Sequence, residues 1–311
     1  MKLGFIGLGL MGASMASNLQ AAGHALCVHD IRRQAAAPHL AAGAEWKDTP
    51  RQIAESSDVV FTSLPGPPEV EAVALGADGL IHGVKAGAAL FDLSTNRPAL
   101  IRRLHAQFAE KKAHVLDAPV SGGPTGARTR RLAIWVGGDR ALYDRHKPLL
   151  DAMGDQATYV GPIGAGAVAK LVHNCSSTAI RAVLAETFSM GVKAGVEPLA
   201  LWKAVRQGAS GRRRTFDTLV DKFLPGQYDP PSFALRLLHK DVSLATEVGR
   251  EVGVPMRMAN LALAELTEAL NRGWGDRDSS MFMLLEAERG GVEFAVPPEA
   301  LRAAIDEDRQ S

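Results

Sequence analysis

Cysteine is nearly absent from this chain: two in 311 residues, Cys27 and Cys175, with no CxxC pair and no Cys/His cluster. That excludes a disulfide framework, gives a metal site no support, and fits two buried free thiols in a reducing cytoplasm. Excess charge is lacking too. Thirty-five Lys and Arg against 34 Asp and Glu leave a formal net charge of +1. No general field then draws the protein to nucleic acid or an anionic membrane, and its partner should be a small molecule held in a pocket. No apolar run reaches the roughly 18 residues of a membrane-spanning helix, and the chain opens directly on a strand, leaving no room for a signal peptide. What the chain does have is 46% hydrophobic and 22% charged residues, enough for a sizeable core and a length that accommodates two ordinary domains.

Residues 3–12 read LGFIGLGLMG, a short apolar strand running into Gly7-x-Gly9-x-x-Gly12 before a helix expected from Ala13 to Ala22. Gly7 allows the tight turn, Gly9 lets the backbone approach a pyrophosphate, and Gly12 lets the helix pack against the sheet. Leu10 and Met11 complete the loop at the helix N-terminus, which faces the phosphates. Asp30 ends the next apolar run, about 20 residues on, where a carboxylate accepts the ribose hydroxyls and repels a 2′-phosphate. This favours NAD, while Arg32 and Arg33 leave NADP open.

Apolar runs at 59–64, 88–93, 115–120 and 132–136 continue a βα alternation to about residue 161. The expected fold is α/β: a Rossmann-type doubly wound sheet over residues 1–162, then an all-helical domain over 163–311. A long helix from Ala165 to Ala194 should lead into that second domain. Its apolar surface exceeds what one small helical domain covers, so a homodimer or homotetramer is expected.

Five segments carry chemistry. Leu64-Pro65-Gly66 and Leu93-Ser94-Thr95-Asn96 follow strands at the carboxyl edge, where doubly wound sheets bind ligands. The segment 117–123, DAPVSGG, offers the Ser121 hydroxyl and the unhindered N–H groups of Gly122 and Gly123, suited to a small carboxylate; a plain glycine turn is the alternative. Lys170 and Asn174 lie one turn apart on one helix face. Burial would lower the lysine's pKa toward that of a general base, whereas an exposed lysine would carry no such role. Phe233 to Asp241 reads FALRLLHKD, a helix on which Lys240 either reaches the cleft or stays solvated.

In order and spacing these segments, GFIGLGLMGASMASNL, DAPVSGG, G-x-G-x-x-x-K-x-x-x-N and H-K-D, resemble the β-hydroxyacid dehydrogenases over about residues 2 to 290. The resemblance implies hydride transfer between NAD or NADP and the alcohol carbon of a small anionic 3-hydroxy acid, or reduction of the matching semialdehyde. It implies Lys170 as catalytic acid/base with Asn174 its companion. Ser121, Gly122 and Gly123 become the substrate carboxylate cradle, and Thr95 and Lys240 cofactor contacts. His173 and Phe233 stand where substrate recognition would vary.

Three departures qualify it. His173-Asn174 replaces the family's frequent asparagine pair, and Lys-x-x-His-Asn resembles 6-phosphogluconate dehydrogenase, which also decarboxylates. That enzyme's Glu-Tyr pair, three and four residues beyond the asparagine, is here Ser177 and Thr178, which favours simple oxidation. Arg130 stands where relatives tend to have glycine, within Arg128-Thr129-Arg130-Arg131. Arg212-Arg213-Arg214 could bind a second anion or be a solvated turn. An imine reductase-like enzyme and a non-catalytic NAD(P)-binding scaffold are the alternative readings.

Overall fold

A computed structural model describes residues 1–193, 195–208, 219–251 and 256–309. They fall into two compact units, Met1–Val172 and His173–Ser311.

The first unit is built on nine strands: β1 (Leu3–Ile6), β2 (Leu26–His29), β3 (Glu45–Trp46), β4 (Val59–Thr62), β5 (Ala89–Asp92), β6 (His114–Asp117), β7 (Val120–Ser121), β8 (Ala133–Gly137) and β9 (Gln156–Gly161). Between them run α1 (Gly12–Ala21), α2 (Ala37–Ala41), α3 (Pro50–Ser56), α4 (Pro67–Leu75), α5 (Pro98–Glu110), α6 (Gly123–Thr129) and α7 (Arg140–Asp151). The sheet order is β3-β2-β1-β4-β5-β6-β8-β7, with β9 beside β8. One face packs on Met15 and Leu19 of α1 and Leu142, Leu149 and Leu150 of α7. The other packs on Ile53 of α3, Val70 of α4 and Leu100, Leu104 and Phe108 of α5. With both faces covered, the central strands are fully buried, every residue of β1, β4 and β5 included, and apolar except for Thr62 and Asp92 at the carboxyl ends of β4 and β5.

Two details differ from the expected alternation. The run 115–120 is two strands, because Pro119 has no N–H to donate to a ladder. Strand β8 then runs antiparallel to β6 and β7, pairing Asp117 with Gly137 and Val120 with Ile134. Only the short α6 separates β7 from β8, less than the dozen or so residues that a parallel crossover takes.

The second unit is helical, and among its described residues the β contact is an isolated bridge between Ala234 and Asp278. Helix α8 (Ala165–Lys193) leads into it, followed by α9 (Pro198–Gln207), α10 (Leu235–Glu251), α11 (Arg257–Asn271), α12 (Met283–Gly290) and α13 (Pro298–Arg309). Its core gathers Trp202, Phe223, Leu235, Leu238, Val242, Leu266, Phe282 and Leu285. Phe233 was expected on a helix but precedes α10. Its carbonyl accepts the Ser279 N–H at 2.7 Å, which holds the chain beside the Asp278 bridge and delays the helix by two residues.

Arg130 caps α6 at φ +60°, a left-handed conformation that a Cβ disfavours. This accounts for the glycine that relatives tend to carry there. Arg130→Gly should therefore stabilise the protein by about 1 kcal/mol, read as a higher midpoint in urea with unchanged slope; a lower midpoint would show that the arginine compensates elsewhere.

Candidate active site

The glycine loop sits between β1 and α1 as its sequence requires. Gly7 has φ +94°, and a Cβ there would lie 2.2 Å from the Ser63 carbonyl oxygen. A Cβ on Gly12 would lie 1.9 Å from the Gly7 carbonyl oxygen. At Gly9 a Cβ would meet nothing within 4 Å, so the protein's own packing does not demand glycine there. A phosphate group fits that opening. The N-terminus of α1 agrees: Met11 at its cap makes no side-chain hydrogen bond, and no acidic residue stands in the first turn. Leu10 is exposed beside it.

Asp30 is buried and already oriented. Its Oδ2 accepts the Leu8 N–H at 2.7 Å and its Oδ1 the Arg32 N–H at 2.8 Å. A carboxylate oxygen holds about two lone pairs, so each can still accept a ribose hydroxyl. Arg33 is turned elsewhere, with its guanidinium over the Trp46 ring and 3.5 Å from Asp48.

Strands β4, β5 and β6 end in register on Thr62, Asp92 and Asp117, a row of buried polar groups along the carboxyl edge. Asp92 accepts hydrogen bonds from Thr62 Oγ1 (2.9 Å), Ser94 N (3.1 Å) and Asn96 Nδ2 (2.9 Å). Ser94 Oγ in turn accepts the Leu64 N–H at 2.9 Å. The loops bearing Leu64-Pro65 and Thr95 are thus tied to one carboxylate. Burial pushes the Asp92 carboxyl up from the usual range, against these donors.

Asp117 reaches across to helix α8. Its Oδ1 accepts the Gly164 N–H at 2.7 Å and its Oδ2 the Ala167 N–H at 2.6 Å, satisfying donors that a helix start leaves unpaired. Burial raises its pKa as well, and these two N–H groups pull it down. The approach is close enough that a Cβ on Gly166 would lie 2.1 Å from the Trp135 carbonyl oxygen. Lys170 follows one turn later on α8. Ser121, Gly122 and Gly123 lie at the junction of β7 and α6, and a Cβ on Gly123 would meet nothing within 4 Å.

In the second unit, Asn174 of α8 and Asp241 of α10 are both buried and hydrogen-bonded, the amide Nδ2 donating to Oδ2. Lys240 Nζ lies 2.9 Å from Asp241 Oδ1, an ion pair without hydrogen-bond alignment. His173 Nδ1 is 3.0 Å from Asn174 Oδ1. Phe233 instead packs against the helical core. The arginine triplet 212–214 lies outside the described residues.

Sequence reasoning missed Asp92, and took Asp117 and Asp241 only as parts of segments. A signal existed for the first two: each is an acidic residue ending an apolar strand. Nothing local marks Asp241, since its partner lies 67 residues away.

A glycine loop at the carboxyl edge of a doubly wound sheet, with Asp30 just past the end of the following strand β2, defines a dinucleotide-binding oxidoreductase. Residues 2–161 match the family described as the NAD binding domain of 6-phosphogluconate dehydrogenase, and 164–285 that described as NAD-binding of NADP-dependent 3-hydroxyisobutyrate dehydrogenase. The chain is 35% identical to 2-(hydroxymethyl)glutarate dehydrogenase of Eubacterium barkeri over 94% of its own length and 97% of that protein. It is 34% identical to 3-hydroxyisobutyrate dehydrogenase of Pseudomonas aeruginosa, covering 94% and 96%. The solved 3-hydroxyisobutyrate dehydrogenase of Mycobacterium tuberculosis, with L-serine, superposes with a TM-score of 0.83 at 29% identity over 91% of this chain and 98% of that one. The chain belongs to the β-hydroxyacid dehydrogenase family and is an NAD(P)-dependent 3-hydroxyacid dehydrogenase. These relationships favour that activity over the imine reductase and scaffold alternatives.

Asp117→Ala should leave the Gly164 and Ala167 N–H groups unpaired, costing about 2 kcal/mol of stability and lowering kcat at saturating cofactor. An unchanged urea midpoint would show that water replaces the carboxylate.

Proposed function

We propose that Lys170 is the acid/base of this dehydrogenase, working on a small 3-hydroxy acid whose carboxylate is held by Ser121, Gly122 and Gly123. One observation carries the reading: Asp117, in the DAPVSGG segment that presents those three residues, also fixes the start of the helix that bears Lys170. Base and cradle therefore share one anchor.

The bound nicotinamide supplies the hydride acceptor for oxidation and the donor for reduction. Lys170, with its amine neutral, takes the hydroxyl proton at Nζ as the carbinol C–H pair departs as hydride; in reduction the ammonium returns that proton to the forming alkoxide. Asn174, one turn on, and His173 steady the hydroxyl and the neighbouring substituent. The Gly7–Gly12 loop, with Leu10 and Met11, receives the pyrophosphate, Asp30 the ribose, and Leu64, Pro65, Thr95 and Lys240 the nicotinamide half. Phe233 would act from outside this set, through the core it packs on. Ser177 and Thr178 supply no acid for an enol intermediate, which supports oxidation without decarboxylation.

We propose NAD rather than NADP, on the preset Asp30 carboxylate and on Arg33, held by Trp46 and Asp48. A reducing cytoplasm suits the two buried free thiols, Cys27 and Cys175. A homodimer or homotetramer would cover Val172 and Ile180 of α8, exposed by 60% and 45%.

A panel of 3-hydroxy acids assayed with each cofactor should show NAD preferred and Lys170→Ala slower by about 100-fold or more. Undiminished turnover in that variant would remove the lysine from the chemistry, and tighter use of NADP would reverse the cofactor assignment. Light scattering at micromolar protein should give a mass of at least two chains; a monomer mass would discard the oligomer.

A further inference from the structure

One stretch of the first unit concentrates arginine and lacks acid altogether. Residues 120–138 include Arg128, Arg130 and Arg131 and no Asp or Glu. The elements beside them add none: α1, which packs on α6, and β9, which pairs with β8, carry no charged residue. All three arginines are exposed, and among the described residues the carboxylate that meets them is Asp155, 3.6 Å from Arg131. Three cations against one carboxylate leave a local excess of two, in a chain whose whole formal excess is one. Nothing within the fold asks for arginine at 130. Its φ of +60° is a conformation that favours glycine. Among the described residues, neither the Arg128 nor the Arg130 side chain has a hydrogen bond or ion pair to offset that preference. Strain kept where no internal contact requires it points to a task outside the fold.

The turn is placed for such a task. The Arg131 N–H bonds to the Gly126 carbonyl at 2.9 Å, and the Arg131 carbonyl oxygen lies 3.1 Å from where a Cβ on Gly122 would stand. The chain thus folds back on the glycines at the start of α6, and that helix, seven residues long, keeps Arg130 about 10 Å from Gly123. We propose that Arg128, Arg130 and Arg131 form an electrostatic guide for the carboxylate of the 3-hydroxy acid, concentrating the anion at Ser121, Gly122 and Gly123 without touching it. The inference rests on the proposed carboxylate cradle. At about 10 Å in water of low ionic strength, each positive charge raises the occupancy of an anion about 1.6-fold, and three together about fourfold. Salt shortens the range of the field and removes the effect. Only charge matters at this distance, so lysine serves as well as arginine, and the guide acts on KM and leaves the chemical step alone.

The test measures kcat and KM of the full-length protein at saturating NAD, with 3-hydroxypropionate and with its uncharged methyl ester, at ionic strengths of about 10 mM and about 0.5 M. The triple variant R128Q/R130Q/R131Q should raise the KM of the acid about fourfold at low ionic strength with kcat unchanged. At high ionic strength it should match the unaltered protein, and at both it should leave the ester and the KM of NAD as they were. R128K/R130K/R131K should behave as the unaltered protein throughout. Should the glutamine variant fail to fold, Arg130→Gln alone is read in the same way, with a rise of about 1.6-fold. An acid KM and salt dependence unchanged by the glutamines overturns the proposal. A change in the KM of NAD would assign the charges to the cofactor, and a loss in the lysine variant would mean direct guanidinium contact; either overturns it too. Ser121→Ala reads the cradle separately, since its effect should persist at the high ionic strength that silences the guide. Absence of turnover of the acid by the unaltered protein would refute the substrate class, and the guide with it.

Discussion

A single carboxylate, that of Asp117, fixes the geometry of the region where the chemistry is proposed. It ends β6, is almost wholly buried, and accepts N–H groups from Gly164 and Ala167, some fifty residues further along the chain. A helix start carries unpaired donors and a partial positive charge, so an anion placed there is stabilised by both. The same contact offsets the cost of burying Asp117, whose pKa burial raises and these donors lower. Neither the strand end nor the helix start would be satisfied alone. Glycine at 166 follows from this arrangement, since a side chain would drive the helix away from the Trp135 carbonyl.

The neighbouring strands repeat the device. Asp92 lies beside Asp117 in the sheet register and ties Thr62, Ser94 and Asn96 together, and Ser94 holds Leu64. Side by side, two buried carboxylates repel, and Asp92 indeed pushes the Asp117 pKa upward. What keeps the pair tolerable is that each accepts several hydrogen bonds from groups that would otherwise be buried unpaired. The result is a rigid carboxyl edge whose loops are held from beneath. Loops so held can present backbone and hydroxyl groups to a ligand without ordering on binding, which spares the entropy cost of fixing them.

Much of this was legible in the residues. The strand-loop-helix of Gly7, Gly9 and Gly12 reads directly because each glycine answers a local steric demand, and the order of DAPVSGG, Lys170 and Lys240 carried the family. What the residues hid is non-local. The reversal of β8 depends on the length of the segment around α6, and apolar periodicity is the same for a strand of either direction. The helical start expected at Phe233 was displaced by a backbone bond from Ser279, 46 residues on. The bond from Asn174 to Asp241 joins two helices whose packing no local pattern specifies, so an acidic residue beside a lysine reads in sequence as an ordinary solvated step.

The buried aspartates also separate holding from binding. Asp92, Asp117 and Asp278 spend their oxygens on protein donors, with Asp278 accepting Ser232 N, Ser280 N and Ser280 Oγ. Asp241 divides its own between an amide and a lysine that is 27% exposed. Asp30 differs in position: its two backbone donors come from the glycine loop and from the turn after β2, the segments that flank a bound ribose in this fold. Its carboxylate therefore presets the loop and remains able to accept from a ligand. Removing such a group would disturb loop and ligand together, whereas removing Asp92 would act on the ligand only through the loops it supports. Burial alone does not tell the two kinds apart; the origin of the donors does.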